Sequence, residues 1–111
     1  LTAGQWSRWH RIRSDVIWHH HGGGSLLIYE LGPGDAVRCT RLGLDLAAGE
    51  QPQHVVPAGR WFAAEPTGSL PWSLVSCTVA PGFDFADFEL ADRETLTARY
   101  PHHAQLIERL T

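Results

Sequence analysis

Trp9-His10-Arg11-Ile12-Arg13-Ser14-Asp15-Val16-Ile17-Trp18-His19-His20-His21-Gly22-Gly23 reads as two strand-like runs around a Ser-Asp break, closed by glycines. Tryptophan, isoleucine and valine suit a pleated, half-buried surface, so residues 6–12 and 16–21 are expected as strands. Runs of the same character recur at 26–31, 36–42, 54–56, 60–64 and 72–79. Between them stand Gly32-Pro33-Gly34-Asp35, Ala48-Gly49-Glu50, Pro57-Ala58-Gly59 and Pro66-Thr67-Gly68, the residues that end strands and make turns. Seven short strands at this spacing read as an all-β sandwich or barrel, and a jelly roll fits the count. Gly22-Gly23-Gly24 is expected as a hairpin turn and not as a phosphate cradle, because a strand, not a helix N-terminus, follows it.

The chain changes character near its end. Asp92 can N-cap a helix over 93–99, with Glu94 favourable in the first turn. Pro101 suits the first turn of a second helix that carries Ala104, Leu106, Ile107 and Leu110. Two short C-terminal helices are therefore expected, capping the barrel or a dimer seam.

A length of 111 residues predicts one domain over 1–111, and 43% hydrophobic residues with five tryptophans predict a packed core. A net charge of −3 without a basic cluster argues against nucleic acid as a partner. All nine basic residues are arginines, which excludes lysine Schiff-base chemistry. Cys39 and Cys77 show no metal or redox spacing and lie in apolar runs, so buried free thiols are expected. No run approaches the ~20 apolar residues of a membrane span and no signal-peptide pattern opens the chain, which makes a cytoplasmic protein without membrane contact the expectation.

Together with Gly49-Glu50-Gln51-Pro52-Gln53-His54-Val55-Val56-Pro57-Ala58-Gly59-Arg60-Trp61 and Cys77-Thr78-Val79-Ala80-Pro81-Gly82-Phe83-Asp84-Phe85, the opening stretch resembles the cupin superfamily. Within it, the chain is similar to the branch of small cupins known as cupin family five, formerly a domain of unknown function. The resemblance covers nearly the whole chain. It implies the cupin jelly-roll (double-stranded β-helix) barrel, and also that a helix and strand which precede Gly4-Gln5-Trp6-Ser7 in relatives are missing or shortened here, in keeping with the lack of any Met. Asp84-Phe85-Ala86-Asp87-Phe88-Glu89-Leu90 also matches the branch and reads as a strand or loop that staples the helices to the sheet.

Cupin metal sites use His-x-His, a following Glu and a later His. Laid on this chain, that pattern puts His10 at the first histidine, Ile12 at the second, Val16 at the glutamate and Phe62 at the last histidine. A transition metal needs several N, O or S donors, so no metal and no cofactor are expected at that site. Strand side chains alternate, which places His19 and His21 on one face, exposed or at an interface, where they could form an adventitious metal clip. In the cupin register His10 and His20 point inward. They are either core histidines satisfied by a backbone carbonyl or a titratable pair at the mouth of an aromatic pocket; the superfamily match favours the second for His10.

Ile12, Val16, Trp18, Trp61 and Phe62, with Trp9 and Tyr29 as further candidates, are expected to wall a small-molecule cavity. Gln53 and His54 either line its rim or pair with a neighbouring strand. The resemblance to sugar epimerases and isomerases implies a metal-independent isomerase, epimerase or cyclase-like enzyme acting on a carbohydrate or secondary metabolite. His10 would abstract a proton next to a carbonyl, and Tyr29 or His20 would return one. A non-catalytic ligand-binding module is the alternative, and a metal-dependent oxygenase ranks last. A homodimer is expected, with Trp6, Trp9 and Trp72 as apolar surface to hide.

Overall fold

The computed structural model describes residues 1–34 and 36–111; the expected turn residue Asp35 lies outside the described residues. Strands run in the order β1 (Ser7–Arg11), β2 (Asp15–Gly23), β3 (Leu26–Leu31), β4 (Val37–Leu42), β5 (Gln53–Val56), β6 (Trp61–Pro66), β7 (Ser73–Ala80) and β8 (Glu89–Leu90). They form a five-stranded sheet, β4-β3-β6-β1-β8, facing a three-stranded sheet, β5-β2-β7. All the strand pairs are antiparallel. All seven expected strands form, and β8 is an additional short edge strand beside β1.

Side-chain alternation divides the interior into two cores. Ile12, Val16, Trp18, Ile28, Val56 and Phe62 meet between the sheets. The opposite face of the five-stranded sheet buries Trp9, Leu31 and Ala63 against Leu96, Tyr100 and Ile107 of the C-terminal segment. That segment contains α1 (Arg93–Arg99), a single 3₁₀ turn at Pro101–His103, and α2 (Ala104–Arg109). Asp92 caps α1 as expected, its carboxylate accepting from the Thr95 amide at 3.2 Å. The helices thus form a third layer on the outer face of one sheet, not a cap over the barrel. The Trp9 amide donates to Leu110 O at 3.1 Å, and Arg109 clamps Glu65 of β6.

Three further expectations are corrected. Trp9 is fully buried beneath the helices, whereas Trp6 and Trp72 remain exposed. Cys39 and Cys77 are exposed, not buried, since both lie on outer strands of their sheets. Gly22-Gly23-Gly24 makes no hairpin: β2 and β3 belong to different sheets, and the glycines turn the chain from one to the other. Gly23 has φ +76°, and a Cβ there would clash with the Trp72 carbonyl oxygen.

This corner gives a direct test. Gly68 also has positive φ but open space around it. Gly68→Ala is expected to cost about 1 kcal/mol of left-handed strain, and Gly23→Ala about 3 kcal/mol or more because a clash is added. Equal urea midpoints for the two variants would refute the close approach.

Candidate functional site

A cleft of about 420 Å³ opens between the two sheets on the side where β1 faces β7. The five-stranded sheet contributes Ser7, His10 and Phe62, with Ile12 just beyond β1. The three-stranded sheet contributes Val16, Trp18, Cys77 and Val79, and Phe83 and Phe88 close the rim. No Asp, Glu or Arg lines this space among the described residues. Its polar groups reduce to an imidazole, a thiol, a serine hydroxyl and the indole of Trp18, whose N–H is shielded from solvent and has no hydrogen-bond acceptor.

His10 stands next to Trp9 on β1, so alternation sends the indole to the helices and the imidazole into the cleft. The ring packs 4.1 Å from Phe62 and 5.3 Å from Phe88, centroid to centroid. Its Nδ1 lies 2.6 Å from the Arg8 carbonyl oxygen, which can only accept. Nδ1 therefore carries the proton and Nε2 presents a lone pair. Burial pushes the pKa of His10 below the usual 6.5, against the weaker opposing effect of the Arg8 carbonyl. At neutral pH His10 is an unprotonated imidazole in an apolar setting.

The remaining predicted residues divide by position. Ile12, Val16, Trp18 and Phe62 line the same cleft as His10. His20 points inward, but its Nε2 is held 2.9 Å from Gly24 O near the inter-sheet corner, the structural arrangement. Tyr29 faces the helical layer, where its hydroxyl donates to Glu65 at 2.8 Å, and burial followed by that carboxylate raises its pKa. It cannot serve the cleft, because β3 sends Ile28 and Glu30 inward and Tyr29 outward. Trp61 is likewise turned away and carries the Arg11 guanidinium 4.5 Å above its ring. Gln53 is exposed and reaches His19 on the outer face of its sheet, at 3.1 Å. His19 and His21 lie on that face too, with rings 6.4 Å apart, bonded to Thr78 and Ser76.

His54 faces the barrel interior beyond the cleft, beside residues that the sequence reading passed over. Its Nε2 donates to Glu30 Oε2 at 2.5 Å, and Arg60 reaches Glu30 Oε1 at 3.2 Å. Glu30 is 0% exposed. Burial alone would raise its pKa, but His54 and Arg60 together hold it below the usual carboxylate value. A glutamate at an even, inward position of the apolar run Leu26-Leu27-Ile28-Tyr29-Glu30-Leu31 was a visible signal for this cluster. Cys77 left no such signal, because its place beside Trp18 follows from the long-range register of β7 on β2.

Residues 1–91 match the profile of the family described as Cupin superfamily (DUF985). The chain belongs to that family. It is similar to a crystal structure of a Shewanella oneidensis protein, with 44% identity and a TM-score of 0.93 over 100% of this chain and 70% of that one. A hypothetical protein from Leishmania major is 32% identical, with a TM-score of 0.89 over 99% of this chain and 71% of that one. Oxalate decarboxylase from Bacillus subtilis shares the fold, with a TM-score of 0.62 at 12% identity, over 100% of this cupin and 29% of the decarboxylase chain. No curated protein matches the chain.

The cupin fold raises the question of a metal. The positions that correspond to cupin metal ligands, His10, Ile12, Val16 and Phe62, do converge on the cleft, but three of them present carbon. One imidazole and one thiol are too few donors for a closed or catalytic site of the usual kind. Among the described residues no group of three or more His, Cys, Asp or Glu side chains is placed to hold a metal ion. The residues present do not fit the metal centre.

His10 makes the fold acid-sensitive in a defined window. Its folded pKa lies below 6.5, so between that lowered value and 6.5 the unfolded chain binds the proton more tightly. Stability from this group is present above 6.5 and lost as pH falls through the folded value. Urea unfolding at pH 7 and pH 5 is expected to show a smaller loss in His10→Gln than in the parent. An identical loss in both proteins would contradict the assignment.

Proposed function

We propose that this cupin binds a neutral, largely apolar small molecule in the β1–β7 cleft and that His10 acts there as a base, in a metal-independent reaction of the isomerase, epimerase or cyclase kind. The observation that carries the reading is the orientation of His10. With Nδ1–H spent on the Arg8 carbonyl and burial opposing protonation, Nε2 is free to take a proton from carbon next to a carbonyl. The wall favours an apolar metabolite over a carbohydrate. A sugar carries many hydroxyls, and aliphatic and aromatic side chains would leave most of them without partners. Phe62, Phe83 and Phe88 instead offer ring faces to a flat or branched hydrocarbon skeleton.

A second reading, a binding module without chemistry, is favoured by the positions of Tyr29 and His20, neither of which can return a proton in the cleft. One substitution separates the two. In the enzyme, His10→Gln is expected to keep ligand binding and lower turnover by about 10²–10⁴-fold. In a binding module the same change weakens affinity by about 1–3 kcal/mol through a lost hydrogen bond. Binding and turnover both unaffected, with only a lower melting temperature, would make His10 a structural residue and end both readings.

A further inference from the structure

We propose that Cys77 is the second catalytic residue of the cleft, donating a proton to the face of the bound molecule opposite the one that His10 deprotonates. This rests on the proton-transfer reading above and adds to it the missing acid, and with it a stereochemical outcome.

The geometry begins with register. Cys77 stands directly across from Trp18 between β7 and β2, and cross-strand partners share a face of the sheet. Trp18 is buried between the sheets, so Cys77 is turned toward the same interior, and both residues line the cleft. His10 enters from β1 in the five-stranded sheet and Cys77 from β7 in the three-stranded sheet. A molecule lying between the sheets meets the imidazole on one side and the thiol on the other. Apart from the Ser7 hydroxyl, no other side chain among the described residues that line the space carries a transferable proton near neutral pH.

The protonation states are those that the two roles require. Burial pushes the Cys77 thiol up to about 11, so it keeps its proton at neutral pH even though the residue is exposed at the rim. His10 is shifted in the opposite direction and is empty. Environments that drive two titratable groups apart within one site mark the acid and the base. The raised value also makes Cys77 a poor thiolate nucleophile, which favours its use as a proton donor.

The step balances without a co-reactant. Nε2 of His10 takes the proton from a carbon next to a carbonyl, and the C–H electron pair moves into the enolate. The enolate collapses, and the same carbon takes the Cys77 proton from the opposite face. Imidazolium and thiolate remain, and water at the open rim returns both to their starting states. The substrate class is a neutral aldehyde or ketone with one acidic C–H at a stereocentre that bears an aromatic or aliphatic group.

The test uses the full chain in D₂O with enantiopure 2-phenylpropanal and 2-phenylcyclohexanone as probes. Deuterium uptake is followed by NMR and inversion by chiral chromatography. The parent is expected to exchange and invert at comparable rates, and His10→Gln to lose both. In Cys77→Ala and Cys77→Ser inversion is expected to fall by about 10²-fold or more, while deuterium uptake persists, slowed and with retention, because His10 alone takes and returns the proton. Inversion at the parental rate in both cysteine variants would overturn the role of Cys77 and leave the His10 reading standing. A parent that exchanges neither probe above the buffer rate overturns the proton-transfer reading and this proposal together. Melting curves on the two cysteine variants separate loss of inversion from loss of fold.

Discussion

The central strands of the five-stranded sheet, β3, β6 and β1, are covered on both faces, and most of the molecule follows from that constraint. One face looks into the barrel and the other supports the helical layer. A strand in such a sheet must carry a side chain suited to a different core at each successive position. On β1 this sets the Trp9 indole under α1 and α2 and the His10 imidazole over Phe62. A slip of one residue would exchange them, placing an imidazole among the helices and an indole in the cleft. The site and the stability of the helical layer are therefore set by the same register. Glu65 of β6 reinforces it, joining Tyr29 of β3 to Arg109 of α2.

The barrel interior is divided by polarity. Toward β3 and β5, Glu30 is enclosed by His54 and Arg60, with buried Thr40 beside them. Toward β1 and β7, no charged side chain among the described residues lines the space and the cleft is open. A buried carboxylate is tolerated only where paired donors offset its desolvation, and the first region supplies them. The second region lacks them, and the same low polarity that would disfavour a carboxylate keeps His10 unprotonated. The carbon side chains at Ile12, Val16 and Phe62 and the unprotonated imidazole of His10 are thus two aspects of one apolar surface.

Much of the fold was legible because two-residue alternation and turn chemistry are local properties. All seven long strands, the Asp92 cap and the break at Pro101 follow from residues close together in the chain. Gly22-Gly23-Gly24 misled, because a glycine corner between sheets and a glycine hairpin have the same local sequence. What distinguishes them is the partner of β2, supplied by Gln53–Val56 and Ser73–Ala80 far along the chain.

By itself the sequence determined the strands, the family, and the inward placement of His10 with Ile12, Val16, Trp18 and Phe62. Each of these depends on periodicity or on motifs within a short span. Tertiary structure alone decided which inward residues share a cavity. His54 and His20 also face the interior, yet one is engaged by Glu30 and the other by Gly24, while Tyr29 and Trp61 belong to the opposite face of the sheet. Cys77 and Phe88 join His10 only because β7 and β8 return beside the first strands. Cross-sheet proximity comes from long-range packing, which no local pattern in the chain encodes.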